Sequence, residues 1–218
     1  MTPSPAERRD VDALAAATTL VGAIAYAAAW VLWHNRIGLP LGANALWTTV
    51  LLLGLPLVGL HTLTVAEVVD LGWQSVPGRL AARYVTGGAA LSLPVVAALA
   101  YSPGWREGLP LASTGAGVDG VFAATLVMLW RAAVLEWFFR GFLLFGLLRK
   151  VGSIAVLIQV IPFAMLFWGR PPLVFVAAWP VGLALGFVAW RCQSFLPCVA
   201  LHGAVLALLQ AATWLAVR

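Results

Sequence analysis

Five ionisable side chains fall inside otherwise apolar stretches of this chain: His61, Arg131, Glu136, Arg140 and His202. Glu136 is the sole carboxylate among them and precedes Arg140 by four residues. On a helix that spacing puts both side chains on one face, in the favourable Glu-before-Arg order. A guanidinium can hold a carboxylate through two charge-assisted hydrogen bonds. Two chemistries fit such a pair. It can lock one helix against its neighbours, or Arg140 can keep Glu136 ionised and oriented as a general base acting on water. His202 opens the last apolar stretch and can contribute an imidazole to that work, or serve as an ordinary structural histidine. His61 sits among apolar residues with no evident partner. Arg131, five residues before Glu136, falls on a different face, where it snorkels toward headgroups or lines a cavity.

The elements that must position these residues are membrane helices. Of 218 residues, 62% are apolar and 10% charged, against roughly 25% charged in soluble domains. A soluble fold cannot keep that much apolar surface dry, so lipid must cover part of it. An ionisable residue at membrane depth is costly and for that reason marks a candidate functional site. Lipid offers no partner to free backbone groups, so the spans must be helical. The chain is expected to be all-α, a polytopic transmembrane helical bundle of about seven spans: 13–33, 45–66, 84–101, 120–148, 154–168, 173–190 and 195–217.

The first stretch follows Arg8 and Arg9 in the manner of a signal peptide, but its 21 residues exceed the roughly 7–15 of a signal core and suit the ~30 Å hydrocarbon layer. The third stretch carries Pro94; Pro56, Pro162 and Pro180 predict kinks. Trp30, Trp33, Trp47, Trp105, Trp168 and Trp190 fall near segment ends, as an interfacial aromatic belt requires. Arg8, Arg9, Arg79, Arg83, Arg149, Lys150 and Arg191 lie on the N-terminal side of the spans, against Arg36, Arg106, Arg170 and Arg218 on the other. That excess places the N-terminus in the cytoplasm and the chain in the cell membrane, with seven spans leaving the C-terminus outside.

The net charge of +5 comes almost wholly from arginine, with no basic run, which argues against a nucleic-acid partner. The Arg-rich, Lys-poor usage with abundant Ala and Gly points to a GC-rich bacterial coding sequence. Cys192 and Cys198 have no metal-ligand spacing and read as ordinary thiols. Gly182 and Gly186, spaced G-x-x-x-G, read as a close helix contact. The stretch 67–83 is amphipathic and suggests a helix lying on the inner surface; 102–119 is rich in Gly and Pro and reads as irregular. The organisation is a cytoplasmic tail over 1–12 and a single helical domain over 13–218.

Residues 131–210 resemble the CPBP (Abi) family, the CAAX prenyl proteases and bacteriocin-processing intramembrane endopeptidases. The family motif E-E-x-x-x-R, usually followed by Gly, stands here as Leu135-Glu136-Trp137-Phe138-Phe139-Arg140-Gly141. The motif F-x-x-x-H stands as Phe163 to Phe167, and H-x-x-x-N as His202 to Leu206, in the same order and at similar spacing. The resemblance implies CAAX-type protein processing, with Glu136 and His202 as catalytic candidates and Arg140 and Phe163 as orienting or structural residues. It also identifies three polar family positions that are apolar here. Leu135 stands where the family has its water-activating Glu, Phe167 where it has His, and Leu206 where it has Asn. Glu136 points about 100° away from position 135 on a regular helix, and the sequence shows no sign of a π-bulge that would re-aim it. Glu136 and His202 supply two ligands where a catalytic zinc normally takes three, so neither zinc nor another divalent metal is expected. The expected partners are the bilayer and a membrane or prenylated peptide. Beside processing, the alternatives are a pseudoprotease acting as a non-catalytic membrane-binding or immunity-type protein, and a small transporter using the Glu136–Arg140 pair.

Overall fold

With no water in the bilayer core, each apolar segment must satisfy its own N–H and C=O groups, and this chain does so with helices alone among the described residues. The structure, a computed structural model, describes residues 5–34, 41–64, 68–102 and 118–217. Helix α1 spans Pro5–His34, so helix reaches back into the expected tail. Helix α2, Leu41–Thr49, runs through a π-helical turn, Val50–Gly54, into α3, Leu55–Leu63. Pro56 stands just past that turn and has no N–H to give. Upstream, the Leu55 N–H reaches back five residues to the Val50 carbonyl, one position further than in an α-helix. A 3-10 turn, Val68–Leu71, precedes α4, Gly78–Tyr101. Then come α5, Val118–Glu136; a π-helix, Trp137–Phe145; α6, Gly146–Val151; α7, Ala155–Met165; α8, Pro172–Cys192; and α9, Leu196–Val217. Pro94, Pro162 and Pro180 all sit inside helices.

Six helical runs are long and apolar enough to cross a membrane, and the difference from seven lies in the fourth. The run Asp119–Met165 has 47 residues, about 70 Å at 1.5 Å per residue, more than twice the ~30 Å of a bilayer core. It reverses at Gly152, whose φ of +63° is costly for any residue with a Cβ. The expected fifth span is the second limb of this run. Its helix α7 has only 11 residues, too short to cross ~30 Å unaided, and it is followed by turns over 166–171. Lys150, before the reversal, pairs with Asp12 near the start of α1. Arg170, after it, lies 5.8 Å from the ring centroid of Trp33 near the end of α1.

Of the surface helix expected over 67–83, a four-residue 3-10 turn and an irregular stretch stand at 68–77, and 78–83 form the start of α4. Close packing explains this. Gly72 sits at φ +76° so near Phe145 that a Cβ would meet the ring at 2.2 Å, and the Ser194 hydroxyl donates to the Gln74 carbonyl at 2.8 Å. The loop is thereby tied down against the bundle. Of the irregular stretch expected over 102–119, residues 103–117 lie outside the described residues.

The core follows from the π-helix. Trp137, Phe138, Phe139 and Phe142 are buried there with Phe163 of α7, and α7 and α8 both pack against the π-helix while α9 lies along α4 and α5. The ionisable face of α5 is therefore closed in by α7, α8 and α9.

Candidate active site

Glu136 is the last residue of α5, and the π-helix opens at the next position. The widening that the sequence does not signal is thus present, between Glu136 and Arg140. Both side chains are fully buried, and the Arg140 Nη1 donates to Glu136 Oε1 at 3.2 Å. The same Oε1 lies 2.6 Å from His202 Nδ1. His202 is 14% exposed and reaches the carboxylate from the second turn of α9. The sequence-predicted candidates Glu136, Arg140 and His202 therefore converge on one oxygen. Glu136 Oε2 is buried with no hydrogen-bond partner.

The far side of Arg140 is held by α7 and α8. Its Nη2 donates to the Gly182 carbonyl at 3.3 Å, and its guanidinium carbon stands 4.1 Å from the Phe163 ring centroid, within the range of a cation–π contact. The Gln159 Nε2 donates to that same carbonyl at 3.1 Å. Gly182 and Gly186 make this approach feasible. A Cβ at Gly182 would stand 2.9 Å from Phe163, and one at Gly186 would stand 2.4 Å from Gln159 Nε2. The G-x-x-x-G spacing is a close contact, as the sequence suggests, and it also delivers a backbone acceptor to Arg140.

The apolar family positions are buried or half-buried. Leu135 is buried in the aromatic core, and Phe167 packs on the core's edge, with its ring 5.5 Å from that of Phe163. Leu206 is half-buried one helical turn beyond His202. His61 is exposed in the last turn of α3, and Arg131 stands over Trp33 at 4.6 Å; neither joins the cluster. Among the described residues, no group of three or more His, Cys, Asp or Glu side chains gathers to hold a metal ion.

Gln159 is the residue that sequence reasoning misses. An uncharged amide in an apolar segment draws no attention beside charged neighbours, although it is fully buried. Cys198, one turn before His202, is a buried free thiol that donates to the Leu185 carbonyl at 3.1 Å. It behaves as a packing residue.

Chemically, a carboxylate between a guanidinium and an imidazole can do two things. It can neutralise Arg140 and fasten α9 to α5, or its free oxygen can accept a proton from water delivered beside it. The first needs nothing further. The second needs donors for an oxyanion, and Phe167 and Leu206 supply none where the family motifs carry His and Asn.

No curated protein and no solved structure matches the chain significantly. Residues 117–208 match the family described as type II CAAX prenyl endopeptidase Rce1-like. That stretch begins earlier than the 131–210 region that carries the resemblance in sequence, and it takes in all of the converging residues. Over this stretch the chain is similar to the CAAX prenyl endopeptidases, and its six long apolar helices are those of a multi-pass membrane protein.

Proposed function

We propose that this chain is a pseudoprotease of the CAAX-protease family, which binds an apolar membrane segment instead of cleaving it. The supporting observation is that Glu136 Oε1 is already engaged by Arg140 and His202, while the motif positions for Glu, His and Asn carry Leu135, Phe167 and Leu206. The group left in the water-activating position is a leucine packed into the core. A site lined in this way suits an apolar ligand, either a transmembrane peptide or a prenylated one. The basic residues on the N-terminal side of the spans support a cell-membrane location with a cytoplasmic N-terminus.

One observation favours a second reading, a divergent endopeptidase. Glu136 Oε2 has no partner, and the imidazole 2.6 Å from Oε1 suits proton transfer. Glu136 then acts as base, His202 assists and Arg140 orients. Hydrolysis of transmembrane and prenylated peptides by the wild-type protein in nanodiscs separates the two. The pseudoprotease yields no product; hydrolysis abolished by Glu136→Gln establishes the endopeptidase.

A further inference from the structure

We propose that residues 70–76 form a strap that closes the N-terminal end of the bundle over the Glu136–Arg140 pair, and that it lifts as a unit to admit an apolar group. Beneath the strap lies the aromatic core. The Leu71 side chain is 2% exposed and packs in the cluster that holds Leu135, Phe139 and Phe163. A Cβ at Gly141, next to Arg140, would stand 3.4 Å from the Leu71 carbonyl, and one at Gly72 would meet the Phe145 ring. Trp73 sets its ring edge-on to Phe195, with centroids 5.4 Å apart. Leu71 thus plugs the core beside Arg140, and lifting the strap uncovers Gly141, Phe145 and Phe195. The surface laid bare is apolar, which sets the chemistry of what can enter.

Side chains, not backbone ladders, fasten the strap. Among the described residues, no backbone–backbone hydrogen bond joins 72–76 to the helices. The Ser194 hydroxyl donates to the Gln74 carbonyl at 2.8 Å, the Gln74 amide donates to the Gln193 carbonyl, and Arg149 pairs with Asp70. That pair is open to solvent, with Arg149 55% and Asp70 29% exposed, and exposed pairs hold weakly. It stands between two clefts. One, of about 510 Å³, reaches Asp10 and Thr62, and the other, of about 230 Å³, reaches Phe145 and Gln193. Solvent therefore approaches the pair from two sides. A segment with one deeply buried side chain and exposed polar ties opens well before the fold does, and lids are drawn from such segments. The admitted group rests on the binding reading above; the opening itself does not.

The test is thiol labelling of the intact protein in nanodiscs with a membrane-impermeant maleimide, in a Cys192→Ala background. Leu71→Cys places a thiol under the strap, and the native Cys198, fully buried, reports opening of the whole bundle. The expected result is labelling at position 71 about ten-fold faster than at Cys198. Arg149→Gln and high salt should each speed it about 2–5-fold, because both weaken the pair with Asp70. Lys150→Gln, which breaks the neighbouring pair with Asp12, should leave it unchanged. In the unaltered chain, hydrogen exchange at Leu71 and Gly72 should rise with salt by the same factor while Trp137–Phe145 stays constant, an arm that needs no substitution in the core. Equal labelling at position 71 and Cys198, or exchange at Leu71 and Gly72 no faster than in Trp137–Phe145, overturns the strap. An equal rise in Lys150→Gln assigns the effect to general loosening and also overturns it. No ligand is present in either arm, so these failures are distinct from a failure of the binding reading.

Discussion

His202 Nδ1 lies 2.6 Å from Glu136 Oε1, although the two residues are 66 positions apart and sit on different helices. That contact, with the Arg140 bond to the same oxygen, fastens α9 to the buried end of α5. It reaches through Arg140 and the Gly182 carbonyl to α8, and through Gln159 to α7. One carboxylate thus organises four helical segments, which is a structural task in its own right. It accounts for the persistence of Glu136, Arg140 and His202 beside the apolar Leu135, Phe167 and Leu206.

Breaking the pair from either side should be severe. Glu136→Ala leaves the Arg140 charge buried with no carboxylate, and should cost about 3–5 kcal/mol. Arg140→Met should cost less, since His202 still faces Glu136. In Glu136→Ala/Arg140→Met no buried charge remains from the pair, and the loss should fall below the sum of the single losses by about 0.5–3 kcal/mol. Reversible unfolding in mixed micelles reads all three; additive losses would show that the pair is not coupled.

Gly182→Ala and Gly186→Ala should each destabilise the protein by about 1–3 kcal/mol through overpacking, because the new methyl groups meet Phe163 and Gln159. Gly87→Ala on α4, where a Cβ meets nothing within 4 Å, is the matched control. Equal midpoints for Gly182→Ala and Gly87→Ala would refute the close approach of α7 and α8.

Gln159→Met keeps the side-chain volume but deletes one donor to the Gly182 carbonyl. Arg140 still bonds that carbonyl, so the cost should stay near 1 kcal/mol. A cost above about 3 kcal/mol would mean that Gln159 also holds a group not seen among its hydrogen bonds.

The reversal at Gly152 makes a topological prediction. In a Cys192→Ala/Cys198→Ala background, Arg149→Cys and Arg170→Cys should label from opposite faces of the membrane with an impermeant maleimide. Labelling from the same face would mean that α7 re-enters without crossing.

The charged part of the site was legible in the sequence because lipid makes ionisable residues rare: Glu136, Arg140 and His202 stood out by type and depth. Their convergence was not, since it depends on how α9 docks against α5. The π-helix was hidden as well. Trp137 to Phe145 reads as plain apolar helix, and the widening belongs to tertiary packing, with Gly141 against Phe195 and the Leu71 carbonyl. Gln159 was hidden by its lack of charge. The span 154–168 was visible as an apolar stretch, but its division into a short helix and turns follows from the reversal at Gly152 and from Pro162 near the end of α7. The surface helix expected over 67–83 is helical only from Gly78 on, as the start of α4, because amphipathic pattern alone does not register that Gly72 must pass against Phe145.

The most direct test of the pseudoprotease is peptide cleavage in nanodiscs, with a mixed library of transmembrane and prenylated peptides. Wild type is run beside Glu136→Gln and beside Leu135→Glu/Phe167→His/Leu206→Asn, which restores the family's polar positions. The account predicts no product from the wild type or Glu136→Gln, and product, if any, from the restored variant alone. Product from the wild type that disappears in Glu136→Gln would contradict it and make Glu136 the base of a working endopeptidase.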